Sequence, residues 1–476
     1  MKWFTGIIAF VLFAVFLIVL LAFSVLFWFD LPRKAAGIAA ETVCSAAFIG
    51  GRSDAAEQLM ASDVRPASPL LLPTSATIDQ DSKSVTAKWL GLISRRASLL
   101  DNRGCVLDAE PQPDAVAYVP APLRPEPWPE GDAALAVADL PDGVDPTRLR
   151  DVVDQAFVGA GDPGAANTRA VAVVQNGRLL LAKESDAIRP SVALHGWSAT
   201  KTVAAMLLYK RAAEVGLDFA TPVVDAFPSG REPAWVAQWL QDDRRNITVA
   251  DLLYMRDGLD DDEGYGPAGA VLQMLYIAPD MAAWAADHPA SHPAGTYWQY
   301  LSATANILAA ITRGQFATDQ EYWDYSRKAL YEPIGMTSGS LATDLAGTWV
   351  GSSYQWASVR DWARLGQVML DDGRWGSTRV LPAGWLKFAS TPAMPSGEGH
   401  GYGAQSWLLG DPVAGECRAN PGVPADTIAM EGHWGQLVAM VPSRKAVIVR
   451  LGWTFNSDAF DGCQLVSDVL AALPQK

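Results

Sequence analysis

Ser198-Ala199-Thr200-Lys201 puts a hydroxyl and an amine three residues apart. A serine hydroxyl is a poor nucleophile at neutral pH and needs a neighbouring base to accept its proton. Positions i and i+3 share one face of a helix, so the two side chains point the same way. The residues that follow, Thr202 to Val215, are rich in alanine and leucine and predict a helix that stops at Gly216. At the start of that helix, backbone N–H groups without partners could receive a developing oxyanion. The plainer reading of the tetrad is a helix-capping serine with a solvated lysine.

Two further groups of residues bear on that choice. Tyr300-Leu301-Ser302 precedes the apolar helical run Ile307–Ile311, and His433-Trp434-Gly435-Gln436 leads into the strand Leu437–Val441. A second strand, Ala446–Gly452, follows the turn Pro442–Lys445. Ahead of the tetrad, Ala170–Val174 and Arg178–Leu181 flank Asn176-Gly177, a strong hairpin turn signal. Sheet, loop, then serine at a helix start is a layout that can carry catalysis.

In this order and spacing, Ser-x-x-Lys, Tyr-x-Ser and His-x-Gly resemble the serine β-lactamase and penicillin-binding-protein superfamily. Class C β-lactamase-like esterases and 6-aminohexanoate-dimer hydrolases are the nearest look-alikes. The resemblance runs over residues 145–476 and includes Gly196-Trp197-Ser198, Tyr331–Met336, Gly351–Tyr354 and Arg360–Gly366. It implies an α+β fold, in which an antiparallel sheet flanked by terminal helices stands beside a mostly helical subdomain, with the cleft between them.

The resemblance also assigns roles. Ser198 becomes the nucleophile, Lys201 the general base and Tyr300 the second proton carrier, with His433 where the superfamily has its cleft lysine. Backbone N–H groups of Ser198 and Gln436 form the oxyanion hole, and Tyr265, Ser302, Trp434 and Gly435 contact substrate. A buried, satisfied Tyr300 and a structural strand-end His433 are the bland alternatives.

Two departures refine the expectation. The β-lactamases and transpeptidases carry Asn where this chain has Ser302, and Lys where it has His433. Both changes are similar to the esterase and amide-hydrolase branches. The expected activity is therefore ester or amide hydrolysis through an acyl-Ser198 intermediate, without metal or organic cofactor. A D,D-peptidase or weak β-lactamase, and a sensor that is acylated without turnover, are the alternatives.

Half of the 476 residues are hydrophobic, and the net charge of −15 argues against a nucleic-acid partner, while the resemblance implies a small ester, amide or peptide substrate. Trp3–Phe29 carries no charge. It is longer than the roughly 20 residues that span a bilayer and exceeds the 7–15 of a signal-peptide core. Residues 1–34 are thus expected to be an uncleaved transmembrane anchor in an inner membrane, with the rest periplasmic or otherwise extracytoplasmic. Four cysteines, Cys44, Cys105, Cys417 and Cys463, fit disulfides in such a compartment. Of three pairings, Cys44–Cys105 with Cys417–Cys463 is favoured, because each pair then lies within one region. Four buried free thiols remain the alternative.

Between anchor and catalytic domain, 35–110 reads as a small accessory region and 111–144 as a proline-rich, semi-extended linker. Asp145-Pro146 opens an amphipathic helix through Leu149, Val152, Val153, Ala156 and Phe157. A second such face, Leu465 to Leu473, ends the chain. Asp257 to Tyr265 is the densest acidic run and does not fit a calcium loop. It reads as a solvated loop, unless Asp260, Asp261, Asp262 and Glu263 border the cleft beside Tyr265. His195, His288, His292 and His400 are scattered and suggest no metal site.

Overall fold

The computed structural model describes residues 7–8, 10–14, 17, 24, 27–115, 122–266 and 268–474. Most of the uncharged run Trp3–Phe29 lies outside them, and among the described residues no helix is long and apolar enough to cross a membrane. The described side chains of that run do not join a core: Ile8, Phe10, Leu12, Phe27 and Trp28 are all exposed.

The first layer is helix α1 (Leu31–Cys44) laid across an antiparallel meander of β1 (Thr74–Asp79), β2 (Ser84–Trp89), β3 (Ile93–Leu100) and β4 (Gly104–Leu107). Small residues Ala36, Ala39 and Ala40 let the helix approach Val85, Ala87 and Ala97. A disulfide joins Cys44, at the end of α1, to Cys105 in β4. Asp63 pins this layer to the main body by pairing with Arg52 at 2.7 Å and with Arg169 at 2.6 Å. Burial acts to raise the Asp63 pKa, yet the two guanidiniums hold it down at about 2.

The main body begins with α2 (Pro146–Ala156), whose first N–H groups are capped by Asp145. The hairpin β5 (Thr168–Gln175) and β6 (Arg178–Glu184) turns at Asn176-Gly177, both at positive φ as a tight two-residue turn requires. Helix α3 (Thr200–Val215) ends at Gly216 in the left-handed region. A mostly helical stretch containing α4 (Ser302–Gly314) follows, then α5 (Val359–Leu370). Strands β7 (Ile428–Gly432), β8 (Gln436–Val441) and β9 (Ala446–Gly452) complete the sheet before α6 (Gly462–Ala471). The sheet order is β7-β8-β9-β5-β6, antiparallel throughout.

Strand alternation explains why these strands read as nearly continuous apolar runs. Ala172, Val174, Val438, Met440, Val447 and Val449 face α5, whereas Val171, Val173, Leu437, Ala439 and Ile448 face α2 and α6. Gly366 lets α5 lie close to the sheet, since a Cβ there would stand 2.6 Å from Val447.

The proline-rich segment departs from the expectation of a spacer. From Arg124 onward it is packed: Trp128 is buried in the main core and Asp132 pairs with Arg364 at 2.8 Å. Arg364 is itself buried, so the carboxylate supplies the counter-charge that the core requires. Residues 116–121 lie outside the described ones.

Candidate active site

The short strand Leu194–His195 pairs with Gln355–Ala357, and Gly196 N–H donates to the Gln355 carbonyl at 2.8 Å. Gly196 has no room for a side chain, because a Cβ would lie 2.1 Å from the Trp362 ring. Trp197 then takes a left-handed φ of 48°, an uncommon state for a bulky residue that its packing must hold. A single 3₁₀ turn, Trp197–Ala199, delivers Ser198 ahead of α3. Helix α3 is clamped on both flanks: Thr200 Oγ1 accepts from Gln355 N–H at 3.0 Å, and Thr202 Oγ1 donates to the Gln405 carbonyl at 2.5 Å.

Ser198 makes no capping hydrogen bond, so the capping reading fails. Its partner is Lys201, whose Nζ lies 2.8 Å from Ser198 Oγ. Lys201 is only 2% exposed. Burial lowers its pKa to about 8, while the nearby Glu263 carboxylate works in the opposite direction. Lys201 Nζ also donates to Ser302 Oγ at 3.0 Å and to the Ser352 carbonyl at 3.3 Å. Ser352 is held in turn by Asn306 of α4, which accepts its N–H at 3.1 Å.

Two tyrosines, Tyr300 and Tyr265, share the cavity wall with Ser198. Burial raises both phenol pKa values well above the ordinary range. Tyr402 and Glu263 add to the rise at Tyr300, and Glu263 adds to it at Tyr265. The Tyr300 ring also lies 4.6 Å from Lys201 Nζ and stacks on Trp407 at 5.1 Å.

The acidic run is anchored and not a solvated loop. Asp257 is buried and accepts from Thr304 of α4 at 2.7 Å and from Leu259 N–H at 3.0 Å. Asp261 faces His288 at 3.6 Å, and its carbonyl accepts from Gln299 at 2.8 Å. Asp260 and Asp262 are exposed. Of the four carboxylates expected at the rim, only Glu263 reaches the centre of the site, where it accepts from Ser302 N–H at 2.5 Å and from Ser302 Oγ at 2.6 Å.

His433, Trp434 and Gly435 form the tight turn between β7 and β8, with Gly432 paired to Gln436. Trp434 and Gly435 both have positive φ. Two buried side chains, those of Gln436 and Arg450, brace this turn. Gln436 Nε2 donates to the His433 carbonyl at 2.9 Å and to the Gly452 carbonyl at 2.6 Å. Arg450 donates to the carbonyls of Trp434 at 3.2 Å and Gly435 at 2.9 Å. His433 is enclosed by Tyr265, Trp197 and Trp434, and burial lowers its pKa to about 4.

A cavity of about 330 Å³ opens over these groups, lined by Ser198, Tyr265, Tyr300, His433, Gly435 and Gln436. Glu263, Glu416 and Glu431 line it too, together with the Cys417–Cys463 disulfide. Two residues expected to contact substrate lie elsewhere. Ser302 is buried behind Lys201, at the first turn of α4. Trp434 packs its ring against Trp453 and Phe455, outside the cavity lining. Among the described residues no group of histidines, cysteines or carboxylates could hold a metal ion.

No curated protein sequence matches the chain significantly. Solved structures share its fold at low identity. A Bacillus anthracis protein provisionally designated a 6-aminohexanoate-dimer hydrolase is 18% identical, with a TM-score of 0.53, over 69% of this chain and 83% of its own. A penicillin-binding-protein homologue from Caulobacter crescentus is 16% identical, with a TM-score of 0.51, over 70% and 98%. A family VIII carboxylesterase is 14% identical, with a TM-score of 0.54, over 72% and 99%. The profile of the Beta-lactamase family matches residues 153–463, which spans the Ser198 turn, Tyr300 and the His433 turn, and the chain belongs to that family.

Proposed function

We propose that this protein is a serine hydrolase that cleaves esters or amides through an acyl-Ser198 intermediate. The observation that carries the reading is the 2.8 Å contact between Ser198 Oγ and a buried lysine whose pKa is lowered to about 8. A lysine near that value is partly neutral at physiological pH, as a general base must be. Neutral Lys201 takes the Ser198 proton as Oγ bonds to the substrate carbonyl carbon. Backbone N–H groups of Ser198 and Gln436 receive the oxyanion. As the carbonyl–leaving-group bond breaks, Tyr300 passes a proton to the departing oxygen or nitrogen. Water then attacks the acyl carbon and gives a proton back to Tyr300, and as the acyl–Oγ bond breaks the Lys201 ammonium returns its proton to Ser198.

Esters and open-chain amides are preferred over β-lactams in this reading, because Ser302 and His433 replace the asparagine and lysine of the β-lactamase branch. Glu263 and Glu416 line the cavity with Glu431, which burial holds protonated at neutral pH, and among the described residues no lysine or arginine lines it. That balance favours an acyl group bearing an amine. The protein acts outside the cytoplasm, tethered by Trp3–Phe29. Two disulfides and the exposed apolar residues of that run support this location.

The deciding experiment treats the full-length protein with a fluorophosphonate probe. Wild type is labelled at Ser198 and Ser198→Ala is not. Labelling that survives in the alanine variant removes the nucleophile.

A further inference from the structure

Glu263 occupies a position that the acyl-serine scheme above does not use. It lies 39 residues before Ser302 in the chain, yet its two oxygens hold the N–H and the hydroxyl of that serine at 2.5 and 2.6 Å. The anchoring of the loop at Asp257, Asp261 and Gln299 makes this reach a built feature and not the chance pose of a surface side chain.

The consequence lies in where hydrogens can go. A serine hydroxyl has one hydrogen and two lone pairs. With its hydrogen donated to Glu263, Ser302 Oγ can only accept from Lys201. The other deep neighbour of Lys201 Nζ, the Ser352 carbonyl, is an acceptor by nature. A neutral amine has two N–H bonds and one lone pair. Both N–H bonds are then committed to Ser302 and Ser352, and the lone pair has one direction left, toward Ser198 Oγ at 2.8 Å. We infer that Glu263 is a positioning residue that, through the Ser302 hydroxyl, orients the lone pair of neutral Lys201 onto the Ser198 proton.

This inference rests on the acyl-Ser198 reading and adds a condition to it. The sign of the accompanying charge effect provides an independent readout. Glu263 is the one charged group acting on Lys201 among the described residues. The phenols of Tyr265 and Tyr300, which also face it, are held protonated by burial, and His433 is neutral at pH 7. The carboxylate favours the ammonium form, so removing the charge makes Lys201 neutral at lower pH.

The test measures kcat/KM against pH for a neutral p-nitrophenyl ester, using full-length wild type, Glu263→Gln, Glu263→Leu, Ser302→Ala and the double variant Glu263→Leu with Ser302→Ala. Fluorophosphonate labelling of wild type at Ser198 verifies the underlying reading separately. Thermal unfolding identifies any variant that fails to fold, and the Glu263→Gln exchange preserves the shape of the site. The expected result has three parts. The acid limb of Glu263→Gln moves to lower pH. The plateau rate of Glu263→Leu falls about 10–100-fold, the scale of a misaligned reacting group. The double variant loses no more than Ser302→Ala alone, because both changes break one chain of hydrogen bonds. If wild type labels at Ser198 while the Glu263→Gln acid limb stays in place, or the two single losses simply multiply, the positioning role is overturned and the acyl-serine reading stands. If wild type does not label at Ser198, the reading itself falls.

Discussion

The imidazole of His433 and the phenol ring of Tyr265 lie face to face, 4.2 Å between centroids and 9° between planes. One comes from the turn joining β7 and β8 and the other from the acidic loop, so their stack ties two sides of the cavity wall together. It also shields the imidazole from water, which is why the ring stays neutral to a pKa of about 4.

Tyr265→Ala is therefore expected to expose His433 and raise its pKa toward the ordinary 6.5, whereas Tyr265→Phe keeps the stack and leaves it low. Chemical shifts of the imidazole followed against pH by NMR give both values. A pKa unmoved in the alanine variant would mean that Trp197 and Trp434 alone bury the ring.

Glu431 has its pKa raised to about 8 by burial, with the Glu416 charge adding to the rise. An unfolded chain releases that proton near the ordinary 4.5. Between these values the folded protein binds more protons than the unfolded one, so the contribution to stability is complete below about pH 4.5 and is lost as pH rises through 8. Glu431→Gln should raise Tm at pH 8 and change it little at pH 4. Above pH 8, where Glu431 is ionised, the same variant should cut the preference for a cationic over a matched neutral ester several-fold at low salt, and less at physiological ionic strength.

The two disulfides are expected to separate stability from substrate binding. Cys44–Cys105 joins residues 61 apart in the chain and does not line the cavity, whereas Cys417–Cys463 lies in the cavity wall. Replacing either pair by serine should cost about 2–4 kcal/mol in denaturant unfolding. Only the Cys417/Cys463 replacement should also change KM. Equal effects on KM would show that the α1 layer shapes the site as strongly as the wall does.

Ester hydrolysis is expected to exceed β-lactam hydrolysis. The comparison is kcat/KM for a p-nitrophenyl ester against a chromogenic cephalosporin on the same preparation. Faster cephalosporin turnover would place the chain with the β-lactamases despite Ser302 and His433.

Local patterns made much of this protein legible in its sequence. Asn176-Gly177, Asp145-Pro146 and Gly216 act through their own backbone preferences, so the hairpin, the start of α2 and the stop of α3 could be read directly. Ser198 and Lys201 share a face because helical spacing requires it, and the within-region cysteine pairing matches the bridges in the structure. The remaining features depend on contacts between segments far apart in the chain. Glu263 looked like one of four rim carboxylates until the anchoring of Asp257 and Asp261 aimed it at Ser302. Trp434 lay inside a motif, but only tertiary packing against Trp453 and Phe455 showed where its ring goes. Arg450 and the Gln436 side chain look like ordinary strand residues, and only the turn they brace reveals their work. A residue's secondary structure and its partners within one turn follow from its neighbours in the chain, but a partner on a distant segment is fixed by tertiary packing, which no spacing encodes.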